Sequence, residues 1–124
     1  MASKQLLFGT GGTPLSAATR STISGIERIA ELGLDSMEIE FVQGVKMSEG
    51  TALKVKEAAS NAGVRLTAHG PYAINLNSSD PAKVQASKER ILKTATIGAL
   101  CGAESIVVHA AFYGESTPLQ VYQV

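Results

Sequence analysis

Short apolar runs of β-forming residues alternate with helix-patterned stretches about every thirty residues along the chain, and few folds satisfy that order. It is the mark of consecutive βα units with a parallel sheet. In the first unit a strand over Gln5–Gly9 leads through the loop Thr10–Leu15 into a helix around Ser21–Leu32. Ile23, Ile26, Ile29 and Ala30 share one face of that helix, and Gly33 ends it. The second strand, Ser36–Phe41, alternates Met37, Ile39 and Phe41 with Glu38 and Glu40, and its helix starts at a Ser48 cap and stops before Gly63. The third strand is Val64–His69. A polar stretch through Asn75–Ser79 follows, and then Asp80 and Pro81 open a helix with Val84, Ile91, Ala95 and Gly98 on one face. Gly102 closes it, the fourth strand is Ser105–Ala110, and Ser116 with Pro118 signals a further helix start.

With 124 residues, 44% of them hydrophobic, the chain can bury one core, so residues 1–124 are expected to form a single domain. Its 11 basic and 11 acidic side chains cancel, which leaves no global field to gather a polyanion. The single cysteine, Cys101, rules out an intrachain disulfide framework, and its place at a helix end beside Leu100 predicts a packed thiol. One lysine and a short apolar stretch, Leu6–Phe8, broken by glycines, draw neither a signal peptide nor a membrane span. A soluble cytoplasmic protein is the expectation.

His69 and His109 stand at the C-terminal ends of the third and fourth strands, the face on which parallel α/β sheets build their sites. Two imidazoles on adjacent strand ends can share a zinc ion, which needs further ligands to be held tightly. Strand parity puts Arg65, Thr67 and His69 on one face and Val64, Leu66 and Ala68 on the other, just as Glu38 and Glu40 oppose Met37, Ile39 and Phe41. Apolar faces meet the helices, so the polar set points into a barrel lumen, where Arg65 is expected to pair with Glu38 or Glu40. Gly9-Thr10-Gly11-Gly12 answers first to the needs of a tight turn and lacks the lysine and serine of a P-loop. Lys83, Lys88, Arg90 and Lys93 on the third helix read as a solvated outer face.

Together, His69-Gly70-Pro71-Tyr72-Ala73-Ile74-Asn75-Leu76-Asn77, a helix with Ser87 and Arg90, Gly102-Ala103 and Val107-Val108-His109 resemble the endonuclease IV family. Phe8-Gly9 with Pro14-Leu15-Ser16, and Met37 to Val42 with Gly44-Val45, are similar to its archaeal-type branch. The fold implied is a parallel (β/α) barrel of the TIM type, of which this chain holds about four βα units, the N-terminal half. Two sheet edges would then await a second copy of the chain or the C-terminal half-barrel. The activity implied is zinc-dependent cleavage of the DNA backbone at abasic sites, with His69 and His109 as metal ligands, Tyr72 against the DNA and Asn75 in the same recognition loop. The other ligands would come from later strands. After the second histidine the family usually has Pro-Gly, whereas this chain has Ala110-Ala111-Phe112, and Gln43–Met47 offers only Lys46 as a cation. Sugar isomerases and epimerases on the same barrel are one alternative, favoured if Glu38 or Glu40 faces a metal; a non-catalytic half-barrel that associates with a partner is the other.

Overall fold

The computed structural model describes residues 5–124; the lysine preceding the Leu6–Phe8 stretch lies outside them. Four parallel strands, β1 (Gly9–Gly11), β2 (Ser36–Glu40), β3 (Arg65–His69) and β4 (Ile106–Val107), lie side by side in sequence order. Helices α1 (Thr22–Glu31), α2 (Glu49–Ala62), α3 (Pro81–Leu100) and α4 (Pro118–Tyr122) follow them in turn, which makes the chain a TIM-type half-barrel of four βα units.

Each helix begins where a side chain satisfies its first free amides. Ser21 accepts from Ser24 N–H, Ser48 from Thr51 N–H and Asp80 from Ala82 N–H, with Pro81 in the first turn of α3. α4 is capped by Thr117, one residue beyond the expected Ser116, because Thr117 and Gln120 close a reciprocal capping box. α2 ends at Gly63, whose φ of 68° is a left-handed conformation that costs glycine nothing.

Side-chain parity holds in both long strands. Met37, Ile39 and Phe41 of the β2 segment and Val64, Leu66 and Ala68 of the β3 segment are buried against Ile26 and Ile29 of α1 and Ala52, Val55 and Ala59 of α2. Cys101 is buried in the same core, its Sγ 3.4 Å from Met47 Sδ, and burial pushes its thiol up to about 11. A thiol reagent at about pH 8 is therefore expected to label the native protein far more slowly than the unfolded chain. Equal labelling rates with and without denaturant would contradict this packing.

Other expectations shift by a residue or a face. β1 is Gly9–Gly11 rather than Gln5–Gly9, because pairing partners define a strand and apolarity does not. The Phe8 carbonyl accepts from Asp35 and Ser36 and so begins the register, while Leu6 and Phe8 are exposed. A Cβ on Gly9 would overlap the Ser36 carbonyl, so this contact between β1 and β2 requires glycine. β4 keeps only two paired residues of the expected Ser105–Ala110, since β3 alone supplies its partners. Ala30 and Ala95 point outward. The inward-facing line of α3 is Ser87, Thr94, Ile97 and Gly98, which are buried, with Val84 and Ile91 half-buried among them at steps of three and four. Ser87 and Thr94 lie in it at no polar cost, because each hydroxyl donates to the carbonyl four residues back.

Arg65 does not pair with Glu38 or Glu40. It makes a two-pronged ion pair with Glu104, whose carboxyl it holds below its ordinary value through that hydrogen bond. Parity assigns a side chain to a face and says nothing of its height along the strand. In the register Arg65 lies opposite Ser36, whereas Glu38 and Glu40 lie opposite Thr67 and His69, about 7 and 13 Å further along at a rise of about 3.3 Å per residue. Glu104 donates its N–H to the Leu66 carbonyl and is thereby held at the same low end of β3.

Candidate functional site

The sheet register places the two histidines. His69 ends β3 opposite Val107, and His109 lies two residues beyond Val107, so both imidazoles project on the lumen side at the C-terminal ends of neighbouring strands. Their ring centroids are 5.2 Å apart. The Gly70 N–H donates to the Val107 carbonyl at 2.8 Å, which continues the pairing of the two segments past the last strand residue of β3.

His69 Nδ1 lies 2.8 Å from the Gly70 carbonyl oxygen, which can only accept. Nδ1 therefore donates to that carbonyl, which leaves Nε2 as the ring nitrogen that can offer a lone pair to a metal. Tyr72 stands over the pair. Its N–H donates to the Val42 carbonyl, and its ring meets both imidazoles nearly edge-on, with centroids 5.6 Å from His69 and 5.9 Å from His109. At 57% exposure, Tyr72 presents much of its ring to whatever approaches the histidines.

Asn75 and Asn77 tie the β3–α3 loop to the segment after β4. Asn75 Oδ1 accepts from the N–H groups of Asn77 and Phe112, and Asn77 Nδ2 donates to the carbonyls of Phe112 and Tyr113. The same loop is fastened to α3 by Asn75 N–H to Ser87 Oγ and by Arg90 to the Ala73 carbonyl. Arg90, read both as one of the charges on a solvated helix face and as part of the family resemblance, is thus part of the loop's support. Composition hides this role. The one available signal was the length of polar loop whose backbone groups needed partners.

The lumen carboxylates stand beside the histidines and not among them. Glu40 is the register partner of His69, yet its carboxylate leans over β1, with Oε1 3.5 Å from where a Cβ on Gly11 would stand. The same carboxylate comes within 3.3 Å of that position on Gly12, whose φ is 88°. The glycine loop therefore makes its turn and leaves room for Glu40. Glu38 and Glu40 line a cleft of about 310 Å³ that also receives Arg20 and Lys46. Among the described residues no group of three or more His, Cys, Asp or Glu side chains is placed to hold a metal. The donor set present thus fits a zinc site in part: the two imidazoles could supply two of its ligands.

Comparison with known proteins agrees with this architecture. Residues 26–124 match the family described as xylose isomerase-like TIM barrel. An uncharacterized protein of Methanocaldococcus jannaschii is 40% identical over 108 residues, which is 87% of this chain and 38% of that protein. The chain therefore spans well under half of the relative's length. Among solved structures, endonuclease IV from Thermus thermophilus superposes with a TM-score of 0.68 at 21% identity, over 91% of this chain and 43% of that one. A D-psicose 3-epimerase determined in the presence of D-fructose gives 0.63 at 25% identity, over 79% and 36%.

Proposed function

This chain belongs to the xylose isomerase-like TIM barrel family, and from that membership we propose that it forms the first half of a zinc-dependent hydrolase that cuts DNA at abasic sites. The observation that carries the reading is the pair of imidazoles at the ends of β3 and β4 with an exposed tyrosine against both. His69 and His109 would hold one zinc, completed by ligands of the later strands. The chemistry of such an ion, when bound, is Lewis acidity toward a phosphoryl oxygen and activation of a water. Tyr72 offers an aromatic edge to fill the gap left by a missing base, and the loop carrying Asn75 lies along the same rim. Lys46, at the mouth of the neighbouring cleft, adds a cation for a phosphate. No described helix is long and apolar enough to cross a membrane, and a DNA substrate with a lone buried thiol fits a cytoplasmic setting.

One observation favours the sugar isomerase or epimerase reading: the cleft walled by Glu38 and Glu40 suits a small polyol better than a DNA strand. The two readings separate in one experiment. A complete barrel carrying these residues is expected to nick a duplex with a single abasic site, to lose that activity on chelation and to regain it with zinc. Chelator-sensitive epimerisation of a ketohexose without nicking would replace the first reading with the second, and neither activity would sink both.

A further inference from the structure

The two asparagines of the β3–α3 loop use opposite ends of their amides, and this polarity assigns them a role. Asn75 Oδ1 accepts two backbone N–H groups, from Asn77 at 3.1 Å and from Phe112 at 3.2 Å, so that end must be oxygen. Asn77 Nδ2 faces two carbonyls, of Phe112 at 2.9 Å and Tyr113 at 3.3 Å, so that end must be nitrogen. Between them, the Leu76 N–H donates to the Ala110 carbonyl at 2.9 Å. Four of these five hydrogen bonds land on Ala110, Phe112 and Tyr113, within four residues after His109. β4 itself contributes only Ile106 and Val107 to the sheet, so strand pairing stops before His109 is reached. His109 is exposed, and its ring lies in close aromatic contact with those of His69 and Tyr72.

We propose that Asn75 and Asn77 are positioning residues that hold His109 against His69, doing at the end of β4 what strand pairing does for His69 at the end of β3. The inference rests on the metal reading for its functional meaning and on the hydrogen bonds alone for its geometry. Because Asn75 acts purely as an acceptor through its side chain, aspartate can replace it there. Because Asn77 acts as a donor, aspartate at 77 turns two attractions into repulsions between a carboxylate and two carbonyls.

The test uses the complete barrel with histidine-selective labelling and reads the nuclear Overhauser effect between the two imidazole rings, amide exchange at Leu76 and Phe112, and zinc affinity by calorimetry. Asn75→Ala and Asn77→Asp are expected to weaken or abolish the ring-to-ring effect, to speed exchange and to lower zinc affinity about 10–100-fold, the usual cost of losing a group that orients a ligand. Asn75→Asp is expected to keep all three near the parent values. The proposal is overturned if Asn75→Ala leaves the ring contact intact, if Asn75→Asp fails as badly as Asn75→Ala, or if exchange rises while the ring contact and affinity hold. Should the parent protein bind no zinc, the metal reading falls, and the ring contact alone still decides the positioning role.

Discussion

Replacing either His69 or His109 with alanine in the complete barrel is expected to lower metal-dependent turnover at least about 100-fold while leaving stability close to that of the parent. Losing a group that merely orients a metal ligand costs about 10–100-fold in affinity or activity, so losing the ligand itself must reach the top of that range or beyond. Stability should hold because neither ring belongs to the core: His69 is half-buried, His109 is exposed, and neither packs among the buried side chains of the helix-facing side. Surface changes of this kind usually stay within about 0.5 kcal/mol. The two variants should also resemble each other, since imidazoles 5.2 Å apart are placed to share one ion. Rates at saturating zinc, read beside a urea midpoint, check this. One active variant and one dead one would break the pairing, and a shifted midpoint in both would return the histidines to a structural role.

The second large effect lies one residue away. Gly70→Val is expected to lower stability by roughly 1–3 kcal/mol or more and to loosen the site in the same step. A Cβ at position 70 would stand 2.8 Å from Val108 Cγ1 and 3.3 Å from Thr94 Oγ1. Thr94 cannot yield, because it is fully buried and its hydroxyl is bound to the Arg90 carbonyl. Val108 must therefore move, and it carries the end of β4 with it. That strand has two paired residues to resist the push, and His109 follows Val108 directly. The expected result is a lower denaturant midpoint with weakened zinc binding, and a smaller loss of both for Gly70→Ala. An unchanged midpoint for the valine variant would show that β4 is not packed on Gly70 as described.

Much of this was legible in the residues, and the rest was hidden for identifiable reasons. Period-two alternation in Ser36–Phe41 and Val64–His69 assigns faces, and the buried Met37, Ile39, Leu66 and Ala68 bear that out. Caps at Ser48 and Asp80 fix two helix starts to the residue, because a hydroxyl or carboxylate bonding the first turn is a local event. Height along a strand is not local. It depends on the register with a neighbour, which is why face parity points Arg65 to the lumen glutamates while the register brings it to Glu104. The helix faces failed at Ala30 and Ala95, since alanine is apolar enough to join a predicted face and small enough to leave it at little cost. His69 and His109 could be placed at strand ends from sequence, but not their separation, nor the protonated Nδ1 of His69, nor the asparagine links beside His109. Each of those depends on strand register or on backbone N–H and carbonyl groups that no side-chain pattern records.

The most direct test of the shared-ion reading is a calorimetric titration of zinc into the metal-free complete barrel and into its His69→Ala and His109→Ala variants at neutral pH. The site described here predicts saturable binding in the parent protein that weakens at least about 100-fold in both variants. Zinc affinity and stoichiometry unchanged in either variant would contradict it and leave the two histidines as neighbours that share no ion.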